Sequence, residues 1–432
     1  MDPTPKILII GAGVFGLSTA LHLARRGYTS VHLYDVQDYT STAYQCSQGC
    51  VAASCDDNKI IRASYGDSKL YRDLAFEAIA EWEKWNAESG RRLWERCGFL
   101  RVGEVLSDGE VRTQENLPGV LRGLQYRVSE AGERRRAAED GVPKGKIDAL
   151  GRPERGLVME GEACCFALSL CREAGVKTHY GPGNGVESLI RTGREVIGIK
   201  TSDGLSHSAD LVIVACGGWT PSFLPETEDL IETTAGSVVS FRLPRDQEDL
   251  WEKYASENFP VWCWNMSSYD REKRNVAGIF GFPRTPEGSH RSEKSGRLIS
   301  VPETESDKIP EEAMHALKSF CAENMTELLD LEPEQVRLCW YCDSVDESFL
   351  IDHVPETEGL MVCSGGSGHG FKFLPVLGKH VVEVVERKDT EYTRLFQWRE
   401  VPEKKRSLVD DGPVGWQVLE KQRMVDKTEW RA

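Results

Sequence analysis

Three glycines in the run Gly11-Ala-Gly-Val-Phe-Gly16 are the first residues whose spacing can do chemistry. In such a turn the first glycine permits a tight bend and the second lets the backbone approach a pyrophosphate. The third lets the following helix pack closely, and that helix N-terminus offers N–H groups and a partial positive charge. Asp35, about twenty residues beyond the last glycine, has the type and position to accept from a ribose hydroxyl. Val14 and Phe15 lie within the same turn, so the whole segment reads as a dinucleotide site. His369, between Gly368 and Gly370, is of a type that titrates near physiological pH. Cys46 with Cys50, and Cys339 with Cys342, have spacings found in zinc sites, yet no second pair completes a four-ligand set, so no metal is expected. Neither a Gly-x-Ser-x-Gly elbow nor a His-Glu-x-x-His helix is present, which argues against hydrolases of those kinds.

The elements needed to position the glycine turn are all present. Lys6 to Ile10 is an unbroken apolar strand, Leu17 to Arg26 reads as a helix stopped by Gly27, and Ser30 to Asp35 is a second strand ending in the acid. Leu74, Ile79, Trp82 and Trp85 recur at roughly helical spacing and predict an amphipathic helix between residues 70 and 94. Residues 132–156 read as loop, 162–174 as helix, 176–180 and 196–201 as strands, with Asp203-Gly204 as hairpin punctuation. Ala209 to Ala215 is a buried strand that breaks at Gly217-Gly218, where a nucleotide-binding fold places its last parallel strand against the cofactor. Strand-like pieces at 237–243 and 276–282, and a helix over 310–329, predict a second domain. A last strand at 359–364 opens into glycines, with a helix over 378–387 behind it.

The chain has 432 residues and a formal net charge of −16. That acidic balance argues against nucleic acid or an anionic membrane surface as the main partner. The apolar stretch from Ile7 to Ala24 is interrupted by glycines and carries His22, so no membrane span is expected. No secretory signal is visible at Met1 to Lys6, and Glu-Trp-Arg-Ala432 is not a peroxisomal tripeptide, which makes the expected compartment the cytoplasm and the thirteen cysteines mostly reduced.

Four blocks carry a resemblance to a known family: Gly11 to Gly16; Asn58-Lys-Ile-Ile-Arg-Ala-Ser-Tyr-Gly66; Cys339-Trp-Tyr-Cys-Asp-Ser-Val-Asp-Glu-Ser-Phe-Leu-Ile-Asp352; and Gly365-Gly-Ser-Gly-His-Gly-Phe-Lys-Phe373. Together they resemble the FAD-dependent amine oxidases that include monomeric sarcosine oxidase, pipecolate and saccharopine oxidases, and the fungal amadoriases. The resemblance runs from Ile7 to about Arg387. It implies an α/β fold with a Rossmann-type, glutathione-reductase-like FAD-binding domain and a second α+β substrate domain built on an antiparallel sheet. The implied FAD-binding domain is discontinuous, 1–85, 156–226 and 335–388. Residues 86–155 and 227–334 form the substrate domain, and 389–432 a docked C-terminal extension.

The resemblance also implies roles. Cys339 matches the cysteine that forms a thioether to the flavin C8 methyl group, with Cys342 unmodified. Arg62 and Lys372 match the pair that grips the substrate carboxylate by charge-assisted hydrogen bonds. Lys59 matches the lysine that amadoriases use near the flavin for oxygen reduction. Sarcosine oxidase places its oxygen lysine after a Gly-Phe-Pro turn, present here as Phe280-Gly-Phe-Pro283, but residues 284–296 do not keep the expected lysine-bearing strand. Tyr341 and Phe280 are expected to wall the substrate pocket, and Val186 to meet the adenine through its backbone. Gly217, Asp343, Gly366, Gly368, His369, Gly370 and Phe371 are expected at the cofactor, with His369 touching or packing on the flavin rather than serving as a base.

The expected activity is oxidation of a secondary amine or N-substituted amino acid by a monomeric enzyme, with O2 reduced to hydrogen peroxide. Arg62 favours a free amino acid carboxylate, because amadoriases carry a small residue there. An amadoriase, a secondary-metabolite amine oxidase or cyclase, and a flavin dehydrogenase using another acceptor remain the alternatives.

Overall fold

The computed structural model describes residues 5–50, 52–56, 58–102, 156–265, 278–282, 307–400 and 422–431, with short pieces between 112 and 152. Along the chain the elements that matter to the site begin with β1 (Ile7–Ile10), α1 (Val14–Arg26), β2 (Val31–Asp35), β3 (Asn58–Ile61), α2 (Lys69–Ser89) and β4 (Phe99–Val102). Next come α3 (Glu160–Glu173), β5 (Lys177–Tyr180), β6 (Leu211–Val214), β7 (Ile231–Phe241), β8 (Val261–Asn265) and β9 (Gly278–Gly281). The last are α4 (Glu311–Asn324), β10 (Pro333–Ser344), β11 (Leu350–His353), β12 (Leu360–Ser364) and α5 (Leu377–Val385).

Every residue of β1 is buried, and the two-residue period of a strand sends alternate side chains to opposite layers. Ile7 and Ile9 pack among residues of α1, α3 and α5, while Leu8 and Ile10 meet Val196, Ile199 and Leu350 on the other face. The sheet runs β11-β12-β6-β1-β2-β5. All neighbours are parallel except β11, which pairs antiparallel with β12 at the edge. A three-stranded antiparallel sheet built on 186–192 and 195–201 covers the face opposite the helices. This is the Rossmann-type layering that the sequence predicts.

Two expectations about this layer need correction. The α1 helix starts at Val14, not Leu17, because Gly11 alone, at φ 100°, completes the bend. The 211–214 strand is not the last parallel strand: it lies beside β1, and β12 lies outside it.

A second core gathers around Trp262, Phe320 and Leu338. One of its sheets is five-stranded, β9-β8-β4 followed by 150–152 and 126–127. It is mixed rather than wholly antiparallel, since β8 and β4 run parallel. The strand at 150–152 lies inside the segment read as loop. The helix expected over 310–329 ends at Asn324, and a 3-10 turn at Thr326–Asp330 follows it. Between the two cores runs the long antiparallel pair β7 and β10, in which Gly236 faces Cys339 and Glu232 faces Asp343. The tail expected as a docked extension contributes Met424–Val425, paired with Ile309–Pro310, and Trp430, which is buried against Phe241.

Candidate functional site

The strand pair, the glycine turn and the 365–373 loop enclose one cavity of about 2550 Å³. That exceeds the 300–1,000 Å³ typical of a single small-ligand pocket, so there is room for a large cofactor together with a substrate. Gly11, Gly13, Val14, Phe15, Asp35, Val186 and Gly217 line its nucleotide end. Gly16 is absent from that wall. Its part is packing, because a Cβ there would lie 1.8 Å from the Gly11 carbonyl oxygen.

The residues at this end fit a dinucleotide. A Cβ on Gly11 would stand 2.4 Å from the Ala215 carbonyl oxygen, so the approach of the two strand ends requires glycine. No side chain caps the α1 N-terminus and no acid occupies its first turn, which leaves its positive end facing the cavity. Asp35 accepts from the Ala12 amide at 2.7 Å, the Gln37 amide at 2.9 Å and the Tyr39 hydroxyl at 3.1 Å. Burial raises its carboxyl above the ordinary value while these bonds oppose the rise. It therefore ties β2 to the glycine turn as well as facing the cavity.

β10 supplies the next wall. Strand alternation puts Arg337, Cys339, Tyr341 and Asp343 on one face, and all four line the cavity. The Cys339 thiol donates to Asp56 Oδ2 at 2.7 Å. Asp56 is also ion-paired with Lys59 from β3 and, at 2.5 Å, with Arg337. Lys59 Nζ lies 3.9 Å from Cys339 Sγ. Burial alone would raise the Asp56 carboxyl, but Lys59 and Arg337 outweigh it and hold it well below the usual carboxylate range. Burial, then the Asp56 charge, pushes the Cys339 thiol up, so the resting sulfur is protonated. Farther along, the Thr234 hydroxyl bonds Asp343, whose carboxyl burial pushes up to about 6.

The adjoining wall comes from residues 62–66 and the 365–373 loop, whose Ser367 amide donates to the Cys342 carbonyl of β10 at 2.9 Å. Lys372, 3% exposed, donates from Nζ to the Tyr65 hydroxyl at 2.7 Å and lies 4.8 Å from the centre of that ring. Tyr65 is 3.1 Å from His369 Nδ1, and His369 Nε2 is 2.9 Å from the Glu347 carbonyl oxygen. Burial, then the Lys372 charge, pushes His369 down to about 3, so it is neutral. The imidazole stacks on Phe349 at 4.7 Å and meets the edge of Tyr71 at 4.9 Å. Arg62 lines the same wall, and its charge bears on both Tyr65 and His369. Gly366, Gly368, Gly370 and Phe371 line it too. A Cβ on Gly370 would come within 2.9 Å of the Phe15 ring, so this loop and the glycine turn meet at contact distance.

The sequence-predicted residues other than Gly16 thus converge on one cavity, Phe280 among them although it is 53% exposed. Residues 284–296 lie outside the described residues. Sequence reasoning missed Asp56, Arg337 and Tyr65. Arg337 was within reach, since it stands two residues before Cys339 on a strand, and Tyr65 lies inside a block already singled out. Asp56 carried no periodic or motif signal. No disulfide joins any of the thirteen cysteines, all of which are among the described residues. Among the described residues there is no cluster of His, Cys, Asp or Glu able to hold a metal, and no helix is long and apolar enough to cross a membrane.

Known proteins are similar to this chain over most of its length. The family described as FAD dependent oxidoreductase (DAO) matches residues 6–384. L-saccharopine oxidase of Schizosaccharomyces pombe is 24% identical, covering 91% of this chain and 93% of that protein. N-methyl-L-tryptophan oxidase of Salmonella typhimurium is 26% identical over 86% of this chain and 92% of its own. Among solved structures, fructosamine oxidase (Amadoriase II) of Aspergillus fumigatus superposes with a TM-score of 0.75 at 25% identity, over 99% of this chain and 98% of that one.

Proposed function

The chain belongs to the DAO family of FAD-dependent oxidoreductases, and from that premise we propose that it oxidises a secondary amine or N-substituted amino acid whose carboxylate is held by Arg62 and Lys372. When bound, a flavin would supply two-electron oxidation of the C–H beside the amine nitrogen, with an imine and, from O2 as final acceptor, hydrogen peroxide as the products.

The chain's own residues supply binding, direction and charge. The turn at Gly11–Gly13 and the α1 N-terminus would hold the pyrophosphate, and Cys339 the C8 methyl position as a thioether. Lys59 is a fixed cation beside that sulfur, in place to favour negative charge developing on oxygen. Arg62 and Lys372 bind the carboxylate, while Tyr341 and Phe280 wall the pocket. The observation that carries the reading is that a guanidinium, Arg62, and a buried ammonium, Lys372, line the same cavity as Cys339.

The test is anaerobic: each of sarcosine, pipecolate, saccharopine, N-methyl-L-tryptophan and fructosyl-glycine is added and bleaching of the flavin absorbance recorded, with Arg62→Ala as control. Bleaching by an amino acid substrate, weakened in the control, supports the proposal. Unchanged substrate affinity in Arg62→Ala would sink the carboxylate assignment, and slow reoxidation in air would favour an acceptor other than O2.

A further inference from the structure

We propose that Tyr65 and His369 form a one-directional hydrogen-bond relay that fixes the Lys372 ammonium toward an incoming carboxylate, making Tyr65 a positioning residue that sets specificity. This rests on the reading that Lys372 and Arg62 receive the substrate carboxylate.

The direction follows from which groups can only give and which can only take. The Glu347 carbonyl oxygen is solely an acceptor, so His369 Nε2, 2.9 Å away, must carry a hydrogen. Lys372 is solely a donor, so at 2.7 Å it gives a hydrogen to the Tyr65 oxygen. The Tyr65 hydrogen then goes to His369 Nδ1 at 3.1 Å, where a neutral imidazole offers a lone pair. A protonated imidazole would instead make two cationic donors compete for one phenol oxygen. The order is therefore Lys372 to Tyr65 to His369 to Glu347.

Each link is held from outside the relay. Phe349 and Tyr71 clamp the imidazole, the Tyr65 ring lies under the ammonium, and the Trp82 indole donates to the Lys372 carbonyl at 2.8 Å. With one Nζ hydrogen fixed on Tyr65, the directions of the other two are fixed as well. A flexible four-carbon lysine side chain becomes a directed donor. The relay also occupies both nitrogens of His369, which removes it as a base for the substrate.

The experiment titrates holoenzyme with propionate, and separately with its neutral amide propionamide, reading the flavin absorbance change. Tyr65→Phe keeps the ring under the ammonium and deletes only the hydroxyl. It is expected to weaken propionate about tenfold and leave propionamide unchanged. His369→Phe should behave like Tyr65→Phe. His369→Gln, whose amide can both donate and accept, should bind propionate like the parent. The relay is overturned if Tyr65→Phe binds propionate normally, or if His369→Gln is as weak as His369→Phe. Lys372→Met separates the two levels: loss of propionate binding there with normal binding in Tyr65→Phe and His369→Phe refutes the relay and spares the carboxylate reading, whereas normal binding in Lys372→Met refutes both.

Discussion

Two cation-bearing walls line one cavity and are built on opposite plans. At the Cys339 wall a buried carboxylate, Asp56, occupies the centre, and Lys59, Arg337 and the thiol are arranged around it. At the Lys372 wall the central place is taken by a phenol and a neutral imidazole. A carboxylate at the centre satisfies buried cations within the protein and fixes a local structure. A hydroxyl accepts from the ammonium and gives it direction without carrying a charge of its own. One wall is built to stay as it is, the other to receive.

The largest effect that would break this contrast is at Cys339. In Cys339→Ser the flavin is expected to be lost completely from the polypeptide on a denaturing gel, while the parent chain stays fluorescent. Covalent flavin surviving in that variant would remove the tether from this wall. Next comes Arg337→Met, which leaves Asp56 short of a cation in a buried site. Breaking a buried pair in this way costs about 3–5 kcal/mol, visible as a lower denaturant midpoint at unchanged slope. A midpoint equal to the parent's would show that Asp56 does not depend on this wall's own cations.

Lys372→Met tests the receiving wall. Here the expected loss is in function rather than stability: kcat/KM for a carboxylate-bearing amine falls about a hundredfold, about 2.7 kcal/mol, while the denaturant midpoint holds. A loss of stability comparable to that of Arg337→Met would mean that both walls are structural and would erase the distinction.

The contrast was only half legible in the sequence. The β1–turn–α1–β2 unit could be read because local signals agree: an apolar run, three spaced glycines, a helix stop at Gly27 and a terminal acid. Cys339, Arg62 and Lys372 were legible as parts of motifs. What surrounds them was not, because Asp56 and Cys339 are 283 positions apart and Tyr65 and Lys372 307. Such pairings exist only once the sheets are assembled, and a single buried Asp in an irregular segment has no period to betray it. The strand order failed for a similar reason. β6 reads as a final strand because it ends in glycines, yet β12 ends the same way, and only the crossover places it outside.

The smallest effect concerns pH, and it follows from His369 being neutral in the fold. Burial first, and the Lys372 charge next, push its pKa in the fold from the ordinary imidazole value of about 6.5 down to about 3. Between those values the unfolded chain binds a proton that the folded chain refuses, so stability falls as pH drops from about 6.5 toward 3. By pH 5 the linked loss is about 2 kcal/mol. His369→Gln does not titrate, so its denaturation midpoint should decline less over pH 7 to 5 than the parent's, with the two closest at pH 7. Saturating propionate should flatten part of the parent's decline, since an anion between Arg62 and Lys372 offsets the positive charge that adds to burial in keeping the imidazole neutral. At the Cys339 wall, Asp56 is held ionised far below this range and adds no slope between pH 7 and 5. If the parent's slope persists in His369→Gln, the acid sensitivity lies elsewhere and the neutral imidazole is not what distinguishes the receiving wall.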